Sequence, residues 1–224
     1  MPKRWFPFIN GDYYHVFNRG TARQPVYSNK RDYDRFLLTL AYYQYENPSL
    51  KLSRFLTLPH LEQLEYLSLH HNPKEKLVEI ICYCLMPNHF HLILRQVLPN
   101  GISKFMRQVL NSYTRFYNAK HERPGPLFQG SFKAILIETD EQLIHLSRYI
   151  HLNPLVSGVV RDIDFLDFPW TSFKVILQHK SALVNAEPIL SHFSSIEDYK
   201  TFVLDQASYA RELEKVKYLT LEEI

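Results

Sequence analysis

Only two of the 224 residues are cysteine and only six are glycine. Cys82 and Cys84 stand two apart in an apolar run, and neighbours at that spacing in one extended strand make poor disulfide partners. They read as small buried strand residues, and a zinc site needs more soft ligands than these two. Scarce glycine, with no internal repeat or low-complexity stretch, excludes a fibrous or disordered chain. Long apolar runs are missing too: none approaches the roughly 18 residues of a spanning helix. The basic start, Met1 to Trp5, leads into Pro7-Phe8-Ile9-Asn10 rather than the apolar stretch of a secretory signal. A cytoplasmic protein without a membrane partner is expected. A net charge of +3 is too mild to announce a nucleic-acid binder by itself.

What is present suits one substantial core. Gly11 to Gly20, with Tyr13, Tyr14, Val16 and Phe17, reads as a first strand running into a glycine-punctuated loop. Asp32 to Tyr45 carries apolar residues at a helical period, with Ser28 or Asn29 available as a cap. Glu46 to Glu79, broken by Pro48, Pro59 and Pro73, reads as an insertion with short helices near Leu52 to Leu56 and Leu61 to Leu69. Ile80 to Leu85 and His89 to Arg95 form a hairpin about a Met-Pro-Asn turn. Gly101 to Asn118 is helical, Phe132 to Ile137 is a strand, and Thr139 or Asp140 caps a helix that Pro154 should stop near Leu152. This order predicts an α+β fold, a ferredoxin-like antiparallel sheet with helices on one face, plus the helical insertion and a C-terminal helical extension.

Two stretches carry chemistry. In Pro87-Asn88-His89-Phe90-His91, strand alternation puts His89 and His91 on one face and Phe90 with Leu92 on the other. Two imidazoles could then converge on one divalent ion, although an isolated His-x-His also fits a pair of half-exposed strand histidines. On the helix Glu141 to Asn153, Tyr149 and Asn153 lie four apart and share a stripe with His145. A phenol is a weak nucleophile until a base or cation assists it, and a metal can neutralise charge developing at a phosphodiester. By spacing alone, Tyr149 fits a helix aromatic packing on the sheet better than a nucleophile, and Asn153 fits a helix C-cap before proline better than a ligand. Between Lys104 and Lys133, six cations, including Arg107 and Arg115, stand against only Glu122 and alternate with aromatics. That mixture suits phosphate contact with base stacking, and it also suits a solvated helix face over aromatic core residues.

Met86 to Leu92 resembles the histidine-hydrophobe-histidine motif of HUH endonucleases, and Arg148-Tyr149-Ile150-His151-Leu152-Asn153-Pro154 resembles the nucleophile helix of single-tyrosine transposases. His15 to Gly20, Asn111 to Phe116, Gly125 to Gly130 and Pro169 to Phe173 extend the likeness, nearest to the REP-associated tyrosine transposases. The resemblance implies a transposase domain over residues 1–160, its insertion at about 46–79, and a C-terminal extension over 161–224 packed on it. It further implies that His89, His91 and Asn153 bind Mg²⁺ or Mn²⁺. Tyr149 would then cut single-stranded or hairpin DNA through a 5′-phosphotyrosine and pass the strand to another 3′-end. Asn18, Arg19, Lys104, Arg107, Arg115, Lys133 and Arg148 are the candidate DNA contacts. A homodimer and association with the nucleoid belong to the same expectation.

Two positions depart from the family pattern. Asn153 stands where related insertion-sequence transposases commonly carry glutamine, and Ser131 where arginine is frequent, which removes one phosphate contact. Two other readings use the same residues: a hairpin-binding module that no longer cuts, and a phosphodiesterase that uses water and has no need of Tyr149.

Overall fold

A computed structural model describes residues 7–46, 48–70, 75–178 and 182–205. The elements run β1 (Tyr13–Arg19), α1 (Lys30–Tyr43), α2 (Leu52–Phe55), α3 (His60–His70), β2 (Val78–Met86), β3 (His89–Gln96), α4 (Gly101–Lys120), β4 (Lys133–Ile137), α5 (Asp140–Val156), α6 (Ser172–Leu177), α7 (Glu187–Leu190) and α8 (Ile196–Leu204). The four strands form one antiparallel sheet in the order β2-β3-β1-β4. This is the expected ferredoxin-like arrangement, with β3 and β1 as the central pair.

Alternation along the strands divides the core in two. Val16, Phe90, Leu92 and Leu94 point to the face on which Phe36 and Leu40 of α1 and Phe105, Val109 and Tyr113 of α4 are buried. Cys82, Cys84, Met86 and Ile93 point the other way and meet Leu143, Ile150 and Leu155 of α5, Phe173 of α6 and Tyr199 of α8. Helices on one face therefore describe α1 and α4, while α5 and the tail cover the opposite face. The cause lies in β2: eight of its nine residues are buried, so both of its sides demand an apolar cover. Cys82 and Cys84 are free thiols within this second core.

Two local details set the site. Helix α5 starts at Thr139, whose hydroxyl accepts from the Gln142 amide, and it continues to Val156 instead of stopping before Pro154. The proline falls in the last turn, where its fixed φ suits the helix and a single backbone bond is forgone. Burial of Pro154 and Leu155 favours the extra turn. The second detail is the loop after β1, which clasps the β2-β3 hairpin. Gly20 N–H donates to the Asn88 carbonyl at 2.7 Å, and the Val26 N–H donates to the Pro87 carbonyl at 2.8 Å. A β-carbon at Gly20 would lie 2.1 Å from the Gln24 carbonyl oxygen, so the close approach demands glycine.

Candidate active site

Residues paired directly across an antiparallel sheet share a face. Phe17 pairs with His91 and Arg19 with His89 on one side of β1, and Phe17 pairs with Lys133 on the other. His89, His91, Arg19 and Lys133 are thus gathered on the face that α5 crosses. The His89 and His91 rings lie 4.9 Å apart at 88°, and the Tyr149 ring stands 5.8 Å from His91 at 83°, edge to face. Tyr149 is 53% exposed, although its helix is packed along most of its length. It borders a cavity of about 650 Å³ that His89, His91, Arg19, Arg23 and Lys133 also line, together with Asn18, Asn88 and Gln129. Among the described residues no carboxylate lines it, so the space favours an anion.

Burial keeps the imidazoles neutral. It lowers His89 to about 4, assisted by the Arg19 charge, and His91 to about 2, assisted by His89 and His15. The hydrogen bonds then assign the lone pairs. His89 Nδ1 lies 2.6 Å from Asn88 Oδ1, which can only accept, so the proton sits on Nδ1 and Nε2 keeps its lone pair. His91 Nδ1 lies 2.9 Å from His15 Nε2, and burial lowers His15 to about 4. When His91 donates this bond, its own Nε2 is likewise left as a donor atom for a cation. Among the described residues no group of three or more His, Cys, Asp and Glu side chains forms a metal site. Two neutral imidazoles remain, a donor set that fits a divalent ion completed by oxygen atoms.

Several expected contacts lie elsewhere. Asn153 is half-buried one turn beyond Tyr149 and does not line the cavity; its carbonyl accepts from the Ser157 amide at 3.0 Å and from the Ser157 hydroxyl. Lys104 pairs with Glu46 at 2.6 Å, and Arg107 and Arg115 line a different cavity on the far side of the sheet. Arg148 stacks on Phe202 at 4.3 Å and meets His145 at 2.7 Å. His151 is wholly buried between Ser172 and Tyr199 and cannot touch a phosphate at the surface. Tyr113 is buried and donates to the Val26 carbonyl, which makes it a core residue. Sequence reasoning did not single out Arg23, Gln129 or the role of His15. For His15 the strand alternation His15-Phe17-Arg19 held the signal, because it puts this ring on the face of His91.

Residues 54–153 match the family model described as "Transposase IS200 like". That span runs from α2 through the histidine hairpin and α4 to Asn153. No curated protein matches the chain. Among solved structures it is similar to a REP-associated tyrosine transposase bound to a REP hairpin, at 15% identity and a TM-score of 0.54 over 83% of this chain and 90% of that one. That likeness concerns the fold, and it includes the antiparallel sheet crossed by helices. The family match runs through both the His89/His91 hairpin and the Tyr149 helix, and over that stretch the chain is similar to the IS200-like transposases.

Proposed function

We propose that this protein is an IS200-like transposase, a metal-dependent single-stranded DNA endonuclease and strand transferase that works through Tyr149 on hairpin-bearing DNA. The observation that carries the reading is the Tyr149 ring set against His91 at the mouth of a cation-lined cavity. The Tyr149 oxygen attacks phosphorus, the bond from phosphorus to the 3′-oxygen breaks, and that oxygen leaves as a 3′-hydroxyl once protonated. The DNA is then held as a 5′-phosphotyrosine. Attack by another 3′-hydroxyl reverses the chemistry and joins the strands, with the phenol restored. One phosphodiester is exchanged for another at each step, so no water or high-energy cofactor is consumed.

His89 and His91 would hold Mg²⁺ or Mn²⁺ through Nε2; Asn153, one turn beyond Tyr149 and outside the cavity lining, would reach such an ion only by a change of side-chain position. Such an ion, when bound, supplies neutralisation of the charge that grows on the phosphoryl oxygens. Arg19, Arg23 and Lys133 orient the phosphodiester and share its charge. Tyr149 meets the histidines of its own chain, which supports cleavage within one subunit even where two chains pair. The hairpin carried by the similar REP-associated transposase makes a structured single strand the substrate to try first.

The test is incubation with labelled hairpin-containing single strands and Mn²⁺, followed by denaturing electrophoresis and peptide mapping. A covalent adduct at Tyr149 that disappears in Tyr149→Phe, with binding retained, is the expected result. Cleavage undiminished in Tyr149→Phe assigns the attack to water. Binding without any cleavage in either divalent ion makes the protein a recognition module.

A further inference from the structure

The second large cavity, about 670 Å³, lies against the outer side of α1 and α4, with the sheet between it and Tyr149. Its cations are Arg31 and Arg35 from α1, Lys51 from the segment between α1 and β2, and Arg107 and Arg115 from α4; among the described residues no carboxylate lines it. Nearby cations behave differently. Lys104 is paired with Glu46 and Lys120 with Asp32, each at 2.6 Å, whereas none of the four cavity arginines forms an ion pair among the described residues.

Arg35 is held in place without being satisfied. Its guanidinium lies 5.0 Å from the Phe116 ring, and its buried Nε has no hydrogen-bond partner among the described residues. Burial, and to a lesser degree the Arg31 charge, holds Arg35 below the usual guanidinium range. A half-buried guanidinium with an unpaired Nε, as at Arg35, is costly in a protein that merely folds, and an anion held by it and by the exposed Arg31, Arg107 and Arg115 relieves that cost.

The spacing suits a polyanion better than a single ion. Arg31 and Arg35 are one turn apart on α1, and Arg107, Asn111 and Arg115 form a stripe along α4. Eight residues separate Arg107 from Arg115, about 12 Å at the helical rise. A span of that length exceeds one phosphate group and reaches successive phosphates of a single strand. The open side is walled by residues 48–53 and Leu56, which anchor to α1 through buried Leu52 and Phe55 and through Tyr66 against Tyr42. The segment between α1 and β2 therefore builds part of the cleft.

We propose that this cleft binds the phosphodiester backbone of DNA flanking the segment in the Tyr149 cavity, and that the chain between α1 and β2 serves to complete it. The assignment rests on the DNA-cleaving reading for its substrate, but its readout does not depend on cleavage. Free nucleotides and inorganic phosphate share the chemistry and are tested separately.

The experiment measures affinity of the full chain, carrying Tyr149→Phe so that nothing is cut, for hairpin oligonucleotides with long and with trimmed flanks across a range of salt. For long flanks, Arg107→Ala with Arg115→Ala is expected to make the slope of log K against log salt shallower by about 1.4, at about 0.7 for each single-strand phosphate that is no longer neutralised. The weakening should be the same for unrelated flank sequences, absent for trimmed flanks, and reversed by lysine at both positions. Ser53→Glu, an exposed change in the wall of the cleft, should weaken binding to long flanks in the same way. An unchanged slope in both the arginine and the Ser53 variants overturns the proposal. So does tight binding of inorganic phosphate or a nucleotide that these variants abolish while the DNA slope stays put. Failure of the adduct assay on the wild-type chain would sink the Tyr149 reading and leave this one standing.

Discussion

His151 is the most consequential side chain that never reaches the surface. Its Nε2 lies 2.8 Å from Ser172 Oγ and its Nδ1 2.7 Å from the Tyr199 hydroxyl. Nδ1–H donates to Tyr199, Tyr199 to Ser147, and Ser147 to the Ile144 carbonyl, while the Ser172 hydroxyl has two acceptors within reach, His151 Nε2 and the Tyr83 carbonyl at 3.2 Å. The Tyr83 amide meanwhile donates to Ser172 at 2.8 Å. Burial, rather than the hydrogen bonds, keeps the imidazole neutral, pushing His151 down from 6.5 to about 3. The folded value is below the unfolded one, so between these limits the unfolded chain binds the extra proton. Stability from this group is therefore intact above pH 6.5 and is lost as pH falls toward 3. At about pH 5, some 1.5 units below the unfolded value, the loss is about 2 kcal/mol. His151→Gln keeps a donor and an acceptor but cannot titrate; its altered geometry should cost about 1–3 kcal/mol at neutral pH. Urea unfolding of both proteins from pH 7.5 to about 5 gives the decisive difference. The gap between wild type and variant should narrow by about 2 kcal/mol, since the other depressed histidines are common to both. Parallel pH profiles would refute the neutral-imidazole network.

Three further outcomes are expected. His15→Phe keeps a ring against Phe17 but removes the partner of His91 Nδ1, so Mn²⁺ affinity measured by calorimetry should fall about 10–100-fold with the fold preserved; an unchanged affinity excludes this positioning role. Gly20→Ala forces the loop off the Gln24 carbonyl and should destabilise by about 1–3 kcal/mol in urea unfolding, with a variant as stable as wild type contradicting the close approach. Lys133→Ala, at an exposed strand position, should make the salt slope of single-strand binding shallower by about 0.7 without altering the melting temperature.

The strands and the histidine hairpin were legible in the sequence because alternation is a local property. His89 and His91 share a face in any straight strand, and a two-residue Pro87-Asn88 turn follows from the pairing of Met86 with His89. The helices at Leu52 and His60 and the one beginning after Thr139 were legible for the same reason. Pro154 misled because local propensity yields to burial in a last helical turn. The basic run from Lys104 to Lys133 looked continuous, yet it is divided by the sheet: Arg107 and Arg115 face outward from α4 while Lys133 enters the Tyr149 cavity on β4. No window of sequence holds that division, which arises when α4 and β4 return to opposite sides of the sheet. The partnership of His15 with His91 was hidden similarly, in a strand register linking residues 76 positions apart.

The exposure of Tyr149 and the burial of His151 are two consequences of one rotational setting of α5. Residues two apart on a helix point about 200° away from each other. The hydrogen bonds of His151 to Ser172 and Tyr199, with Ser147 and Ile150 buried on the same side, turn that side toward β2 and the tail helices. Tyr149 is thereby turned outward to the mouth of the cavity, with its ring against His91. Leu143, Ile150 and Leu155 hold α5 on the strands, while the space beside the histidines is open. The tail, through Ser172 and Tyr199, adds a directional constraint to that packing. Packing on the second face of the sheet thus acts on the placement of Tyr149, and under the proposed chemistry disruption of the His151 network should lower the rate of adduct formation more than it lowers DNA affinity.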